Sequence, residues 1–361
     1  MAYVAVQGGR EAIENSLSFF ELRRGALNEN GPSASDIVKA LPLLVDRVMG
    51  EGSLHAPELA GQAILQSGGD TLEAAFMVRA YRTTLPRLAY AIAETTEKMR
   101  IVRRISSAFK DIPGGQILGP SPDYSLRLLD FSASGEEKLL FFKKFMEEAS
   151  QKEELPESFP KVMEILRREG LLAERDSLST STKQIDDVTR HSMEFPVSRS
   201  AALQTLARGE TGGMLALAYS NMRGYGSAHP TIGELRVGVI ALIVRNPIDN
   251  APTIIGEILV TEVETITHIK SVNGKPLFQV GYGICLGQNE TKAIAMATLD
   301  AAMRTKNPTY PSEDQEFVLT HIDGIESMGF TNHFKLPHYV SFQSDLDRLR
   351  KSQTQHQKEQ S

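Results

Sequence analysis

Three runs decide the fold class: "ELRVGVIALIV" (Glu234–Val244), "TIIGEILVTEVETITHI" (Thr253–Ile269) and "LFQVGYGICLG" (Leu277–Gly287). They are rich in Val, Ile, Thr and aromatic residues, the types that fit a pleated, half-buried surface. "RNPIDNAP" and "VNGKP" separate them. Both connectors are turn-forming, and connections this short join antiparallel neighbours. The spacing therefore predicts an antiparallel meander. An amphipathic helix, "NETKAIAMATLDAAM" with Asn289 as its cap, follows.

Upstream the pattern is helical. After a short strand "YVAV" (3–6), helices are predicted at Glu11–Arg24, at Ser35–Met49 and at 56–66. The second has Ser33 or Ser35 as cap and Pro42 as a break, since proline removes a donor and clashes with the preceding turn. A fourth starts behind Asp70 and is interrupted near Pro86. "MRIVRRIS" (99–106) is also read as helix, with Arg100, Arg103 and Arg104 on one face. A last helix is predicted in "FQSDLDRLRKSQ" before the polar tail. The expected architecture is α+β: a mostly helical N-terminal half, and a C-terminal half with an antiparallel meander packed by helices. The expected domains are 1–150 (mainly helical), a polar linker at 151–195, and an α+β domain at 196–361 that carries a metal-binding loop.

The chain has 361 residues, 41% hydrophobic and 23% charged, with net charge −6. This suits a globular protein of about two domains. The negative balance argues against a nucleic-acid partner. No Walker-A sequence or G-x-G-x-x-G is present. The longest apolar runs are too short for a bilayer, and "MAYVAVQGGREAIE" lacks the pattern of a secretion signal. The single cysteine, Cys285, excludes an internal disulfide and fits a cytoplasmic protein. It also excludes a cysteine-ligated iron–sulfur cluster built by this chain alone. Its apolar surroundings make it a small buried hydrophobe rather than a nucleophile.

The best local chemical signal is "NHFKLPHYV" (Asn332–Val340), with His333 and His338 around Pro337. On a helix the two side chains would lie about 140° apart, and on a strand on opposite faces. Only a bend brings them together. The spacing suits a zinc site, yet zinc takes three or four protein ligands. Cys285, His321, His229, a carboxylate or another chain are candidates for the rest.

Other stretches offer anion contacts. "KDIPGGQILGP" (110–120) sets Lys110 beside Gly114, Gly115 and Gln116, a loop able to turn amides toward phosphate. "YSNMRGYGSAHPTIGELR" (219–236) gathers Arg223, Tyr225, His229, Glu234 and Arg236 among glycines. Arginine clamps phosphate bidentately and tyrosine stacks. Arg79 and Arg82 in "RAYRTT" share a helix face and offer a polyphosphate contact or a salt-bridged surface. On "GEILVTEVE" (256–264) each strand face bears a carboxylate, and edge-strand charges that oppose aggregation are the favoured reading.

Seven ordered blocks carry a resemblance: "YVAVQGGREAI", "RAYRTTL", "RRISSAFKDIPGGQILGPSPDYSLRLLDF", "LALAYSNMRGYGSAHPTIGELR", "GEILVTEVE", "GYGICLGQNETKAIAMATLD" and "EFVLTHIDGIESMGFTNHFKLPHYVSFQ". Together they resemble the PhnI subunit family of bacterial carbon–phosphorus lyase, from about residue 2 to about residue 350. The resemblance implies a nucleosidase-like component of phosphonate catabolism. With partner subunits, it implies displacement of adenine from MgATP by an alkylphosphonate, giving α-D-ribose 1-alkylphosphonate 5-triphosphate. A separate radical subunit with an iron–sulfur cluster would then break the carbon–phosphorus bond. The resemblance further implies a zinc-type metal at a subunit interface, held by the histidines that match His333 and His338.

On this basis Lys110, Gly114, Gly115, Gln116, Arg223, Tyr225 and Arg82 are expected to bind substrate, and Glu234 and His229 to act as acid or base. A non-catalytic scaffold in the same complex is the alternative, and a stand-alone metal-dependent hydrolase a weaker third.

Overall fold

The computed structural model describes residues 9–25, 31–129, 131, 135–149, 159–173, 186–225, 230–272, 275–305, 307–336 and 338–359. Among them the first helices are α1 (Gly9–Arg23), α2 (Ala34–Ala40), α3 (Pro42–Gly52), α4 (Pro57–Gln66), α5 (Thr71–Thr83), α6 (Gly135–Ala149) and α7 (Met163–Arg168). Then come α8 (Arg199–Arg208), α9 (Thr211–Ser220), α10 (Glu290–Ala302), α11 (Gln315–His321), α12 (Gly324–His333) and α13 (Tyr339–Glu359). The strands are β1 (Arg100–Ile105), β2 (Thr231–Arg245), β3 (Pro252–Val272) and β4 (Lys275–Leu286). They form one sheet of order β1-β2-β3-β4 with antiparallel neighbours throughout. The α+β class and the meander are as the sequence predicts. The expected strand at 3–6 lies outside the described residues.

The chain groups into two compact units. One comprises Met1–Leu85, Arg208–Gly213 and Thr320–Ser361, the other Pro86–Ala207 and Met214–Leu319. These bounds differ from the expected 1–150, 151–195 and 196–361. The chain enters the sheet unit at Pro86, rejoins the helical unit briefly at Arg208–Gly213 and returns to it at Thr320. Composition along a sequence does not register such a return.

In the helical unit the starts are chemically marked. Ser33 Oγ accepts from Asp36 N at 3.2 Å while the Asp36 carboxylate accepts from Ser33 N at 2.9 Å, a reciprocal cap on α2. Pro42 stands at the start of α3 and divides the region into two helices, as the expected break predicts. Asp70 Oδ1 accepts from Leu72 N at 3.0 Å and Glu73 N at 3.1 Å, capping α5, which ends at Thr83 before Pro86. Val45, Val48, Met49, Ala63, Ile64 and Val78 form the core that α3, α4 and α5 share.

In the sheet unit β1 corrects an expectation. Arg100, Arg103 and Arg104 lie on a strand, not a helix. "RIVRRI" is β-branched at half its positions, and its backbone is satisfied by β2, with Arg104 opposite Arg236 and Arg103 opposite Val237. α10 lies against β4 at very short range: a Cβ at Gly281 would stand 2.0 Å from Ala297 O. Asn289 occupies the cap position of α10, but its side chain donates to Leu286 O at 2.6 Å instead of capping. Among the described residues no helix is long and apolar enough to cross a membrane.

Candidate functional site

Among the predicted site residues, Glu234 lies in a charged cluster of the sheet unit, and His333 and His338 form a pair in the helical unit. The sheet unit concentrates charge in its interior. Arg104 is fully buried and donates through Nε to Glu234 Oε1 at 2.6 Å. Its remaining nitrogens donate to the carbonyls of Pro113 at 2.6 Å, Gly115 at 3.2 Å and Pro160 at 2.6 Å. Glu234, 2% exposed, accepts from Val162 N on its other oxygen at 3.0 Å. Both carboxylate oxygens are thus engaged. Glu234, expected as an acid or base, lies in a buried ion pair that ties β1, β2 and the segment before α7 together.

Next to this pair in register is a second one. Arg236 lies opposite Glu262 on β3 and donates to it through Nε at 3.0 Å. Thr96 Oγ1 at 2.7 Å, Lys161 Nζ at 2.9 Å and Tyr282 Oη at 2.9 Å donate to the other Glu262 oxygen. Burial pushes this carboxyl up. The charges of Arg236 and Lys161, with the hydrogen bonds from Arg236 and Thr96, outweigh burial and hold it at about 2 against an ordinary 4.5. The edge-strand reading of Glu262 and Glu264 is overturned, because β3 is flanked by β2 and β4 at both and each is 2% exposed. Lys161, Thr96 and Tyr282 were not singled out in the sequence. The signal for Arg236 and Glu262 was present: antiparallel register sets "ELR" against "EVE".

The predicted anion loop is braced from within. Gly114 and Gly115 have φ +82° and +76°. Gln116 accepts from Ser106 N at 3.1 Å and donates to Lys110 O at 3.1 Å, so its amide shapes the loop. At Gly119, φ +58°, a Cβ would stand 2.5 Å from Val102 O, which presses the loop's end onto β1. Lys110 is exposed. Arg223 is exposed on a π-helical turn, Asn221–Tyr225, and donates to Tyr219 Oη at 2.7 Å. Such turns occur often at functional sites. The Tyr225 side chain and all of His229 lie outside the described residues. Arg82 is half-buried on α5 and belongs to the helical unit, unlike Lys110 and Arg223.

The helical unit carries the histidine pair. α12 ends at His333, and the chain turns through i→i−3 bonds: Phe334 N to Thr331 O at 3.2 Å, Lys335 N to Asn332 O at 3.0 Å and Leu336 N to His333 O at 2.9 Å. His338 then opens α13, accepting from Phe342 N at 3.0 Å. The predicted bend is real: the two ring centroids lie 5.3 Å apart with their planes at 61°. His333 Nδ1 faces Phe330 O, and His338 Nδ1 faces Leu336 O at 2.5 Å. A carbonyl only accepts, so each Nδ1 donates, and in the neutral ring that tautomer leaves the lone pair on Nε2.

Histidines that ligate metals commonly donate their other ring N–H to a carbonyl in this way. Phe334, which the sequence reading passed over, has its ring 4.4 Å from that of His333 and 6.3 Å from that of His338. The donor set fits two positions of a zinc ion. Among the described residues no group of three or more His, Cys, Asp or Glu is placed to hold a metal. Cys285, offered as a further ligand, is 4% exposed in the sheet unit, as its apolar strand predicted.

The chain matches the family model described as bacterial phosphonate metabolism protein (PhnI) over residues 2–356. It is 50% identical to a "Putative C-P lyase subunit protein HtxH" of Stutzerimonas stutzeri, over 98% of this chain and 96% of that one. It is 43% identical to the "Alpha-D-ribose 1-methylphosphonate 5-triphosphate synthase subunit PhnI" of Rhizobium meliloti (strain 1021), over 98% of this chain and 95% of that one. To the protein of the same name from Escherichia coli (strain K12) it is 44% identical, over 97% of this chain and 98% of that one. A match of this length and order covers both units, the braced loop, the π-helical turn and the histidine pair, and the chain belongs to the PhnI family of bacterial phosphonate metabolism proteins.

Proposed function

We propose that this chain is a carbon–phosphorus lyase subunit which, with partner subunits, displaces adenine from MgATP by an alkylphosphonate. The product is α-D-ribose 1-alkylphosphonate 5-triphosphate, and the setting is phosphonate catabolism in the cytoplasm. The observation that carries this reading is the near-full-length similarity to two chains named as subunits of the synthase for the methyl compound. A subunit role also suits α6, where Leu139, Leu140, Phe141, Phe142, Phe145 and Met146 are all more than half exposed.

Replacing a base at the ribose carbon passes through an oxocarbenium-like state. Cations must hold triphosphate and phosphonate close together while that charge develops. Lys110 and Arg223 are exposed, and we assign them the anion contacts, with Gly114 and Gly115 shaping the approach and Tyr225 as a further substrate contact. His229 carries the acid–base assignment, since Glu234 is spent on Arg104 and Val162. Arg82 stays a phosphate contact in this reading. The radical, iron–sulfur chemistry belongs to a partner.

His333 and His338 would hold a zinc-type ion through their Nε2 atoms, with the remaining ligands from another chain or water. When bound there, the ion supplies a fixed charge and a cross-link between chains. Mg²⁺ enters with ATP as substrate.

The test is adenine release from MgATP by the assembled subunits with methylphosphonate. Release that falls at least tenfold in Lys110→Ala and Arg223→Ala supports the assignment. Unchanged release moves the anion site elsewhere. Release that needs the partners but none of these residues favours the scaffold role, which the fully engaged Glu234 also suits. Zinc retained by a His333→Ala/His338→Ala complex would sink the clip.

A further inference from the structure

The clip supplies two donors and the outside supplies the rest, so the direction in which it is presented matters as much as its own geometry. α12 carries His333 at its C-terminal end and has no buried residue. It packs beside α5 with Ile325 and Met328 half-buried, and its most specific side-chain bonds lie at the other end. There Asp323 Oδ1 caps the helix, accepting from Ile325 N at 3.1 Å and Glu326 N at 3.4 Å. The second oxygen, Oδ2, accepts from Arg79 Nη1 of α5 at 2.6 Å. Arg79 is anchored in turn, its Nη2 donating to Glu51 O at 2.9 Å and Arg208 O at 3.3 Å. The ion pair is shielded, with side-chain exposures of 15% and 24%. Beside it, Glu210 N donates to Ile322 O at 2.6 Å, and a Cβ at Gly324 would stand 2.5 Å from Glu210 Cβ, so the chain enters α12 under close constraint.

We propose that the Arg79–Asp323 pair is a positioning latch for the two-histidine clip, aiming it at the ligands that complete the metal site. The inference rests on the metal reading above. The lever is long: α12 spans ten residues, about 15 Å, so a tilt of about 5° at Asp323 moves His333 by roughly 1 Å. Metal–ligand distances tolerate about 0.2 Å. A small loss of angular restraint therefore exceeds what the site can absorb. The bonds of Arg79 and Asp323 go to backbone and to each other rather than to the imidazoles, so the pair acts through helix direction. The sequence reading offered Arg79 as a polyphosphate contact or a salt-bridged surface residue, and the structure assigns it this ion pair.

The test uses the assembled complex and measures zinc retained after dialysis against a competing chelator, with thermal midpoint recorded in parallel. Asp323→Asn keeps an N-cap acceptor but removes the charge that Arg79 holds. It is expected to lose zinc about tenfold faster or at tenfold lower chelator while the complex stays folded at the assay temperature, an effect of the size seen when the surroundings of a metal ligand are altered. Arg79→Lys keeps a cation in reach and is expected to rescue most of the retention, whereas Arg79→Gln is not. Retention equal to the parent in both Asp323→Asn and Arg79→Gln overturns the latch. His333→Ala/His338→Ala is the control. If it loses zinc while Asp323→Asn does not, only the latch fails. If it keeps zinc, the metal reading fails and the latch with it.

Discussion

Glu234 and the histidine pair stood side by side as candidates in the sequence, and the structure treats them in opposite ways. Glu234 is 2% exposed and both its oxygens are engaged, by Arg104 and by Val162 N. Each histidine spends one nitrogen on a carbonyl of its own turn and keeps the other. Chemistry needs unspent bonding capacity. A buried carboxylate that accepts from a guanidinium and an amide is already at the end of its inventory, however polar its neighbourhood. An imidazole pinned at Nδ1 is oriented and still has a lone pair to give. The count of occupied atoms, rather than the density of charge, separates the frame from the candidate site.

The strongest way to break that comparison is to attack the frame. Arg104→Ala leaves the Glu234 carboxylate buried without its cation and three carbonyls without a donor. Losing one partner of a buried pair costs about 3–5 kcal/mol. The expected outcome is a large fall in denaturant midpoint or a failure to accumulate folded complex. A variant that folds normally yet stops releasing adenine would return Glu234 and Arg104 to the catalytic list.

Somewhat smaller is the effect at Glu262, and it is pH-specific. Its folded pKa, about 2, lies below the ordinary 4.5. A depressed carboxyl stabilises the folded state above its unfolded pKa. That contribution is lost as pH falls from about 4.5 through about 2. It amounts to roughly 3 kcal/mol at full ionisation. Glu262→Gln should therefore lower stability at pH 7 and flatten the acid limb between those pH values, read as midpoints in urea across a pH series. An unchanged acid limb would mean that other carboxylates carry the transition.

The same contrast explains what was legible in the sequence. The meander was readable because "VGVIALIV" and "GEILVTEVE" carry their β character locally and short turns fix the neighbours. The helix starts at Ser33 and Asp70 were readable because a cap is a local bond. The bend at His333–His338 was readable because no regular element brings those positions together. Arg100–Arg104 was misread because a strand's partner can be far away in sequence: β1 pairs with β2, more than a hundred residues on. The roles of Glu234 and Arg79 depend on partners such as Val162 and Asp323, which no window around either residue contains. Reading the site thus required knowing which atoms were already taken, and that information is long-range.

The smallest effect gives the sharpest control, because it changes burial while keeping strand and chemistry. Arg100 starts the same β1 that carries Arg104, and it too pairs with a glutamate of the sheet, Glu257 Oε2 at 2.9 Å. Here the side chains are 68% and 57% exposed, against 0% and 2% for Arg104 and Glu234. Water already solvates both exposed ions, so little is gained when they meet and little is stranded when one is removed. Arg100→Ala should therefore change unfolding free energy by under about 1 kcal/mol, and added salt should shrink even that. Measured beside Arg104→Ala in the same denaturant series, the two variants remove the same side chain from the same strand. If their costs were similar, strand position rather than spent bonding capacity would govern the frame, and the case against Glu234 as acid or base would lose its footing.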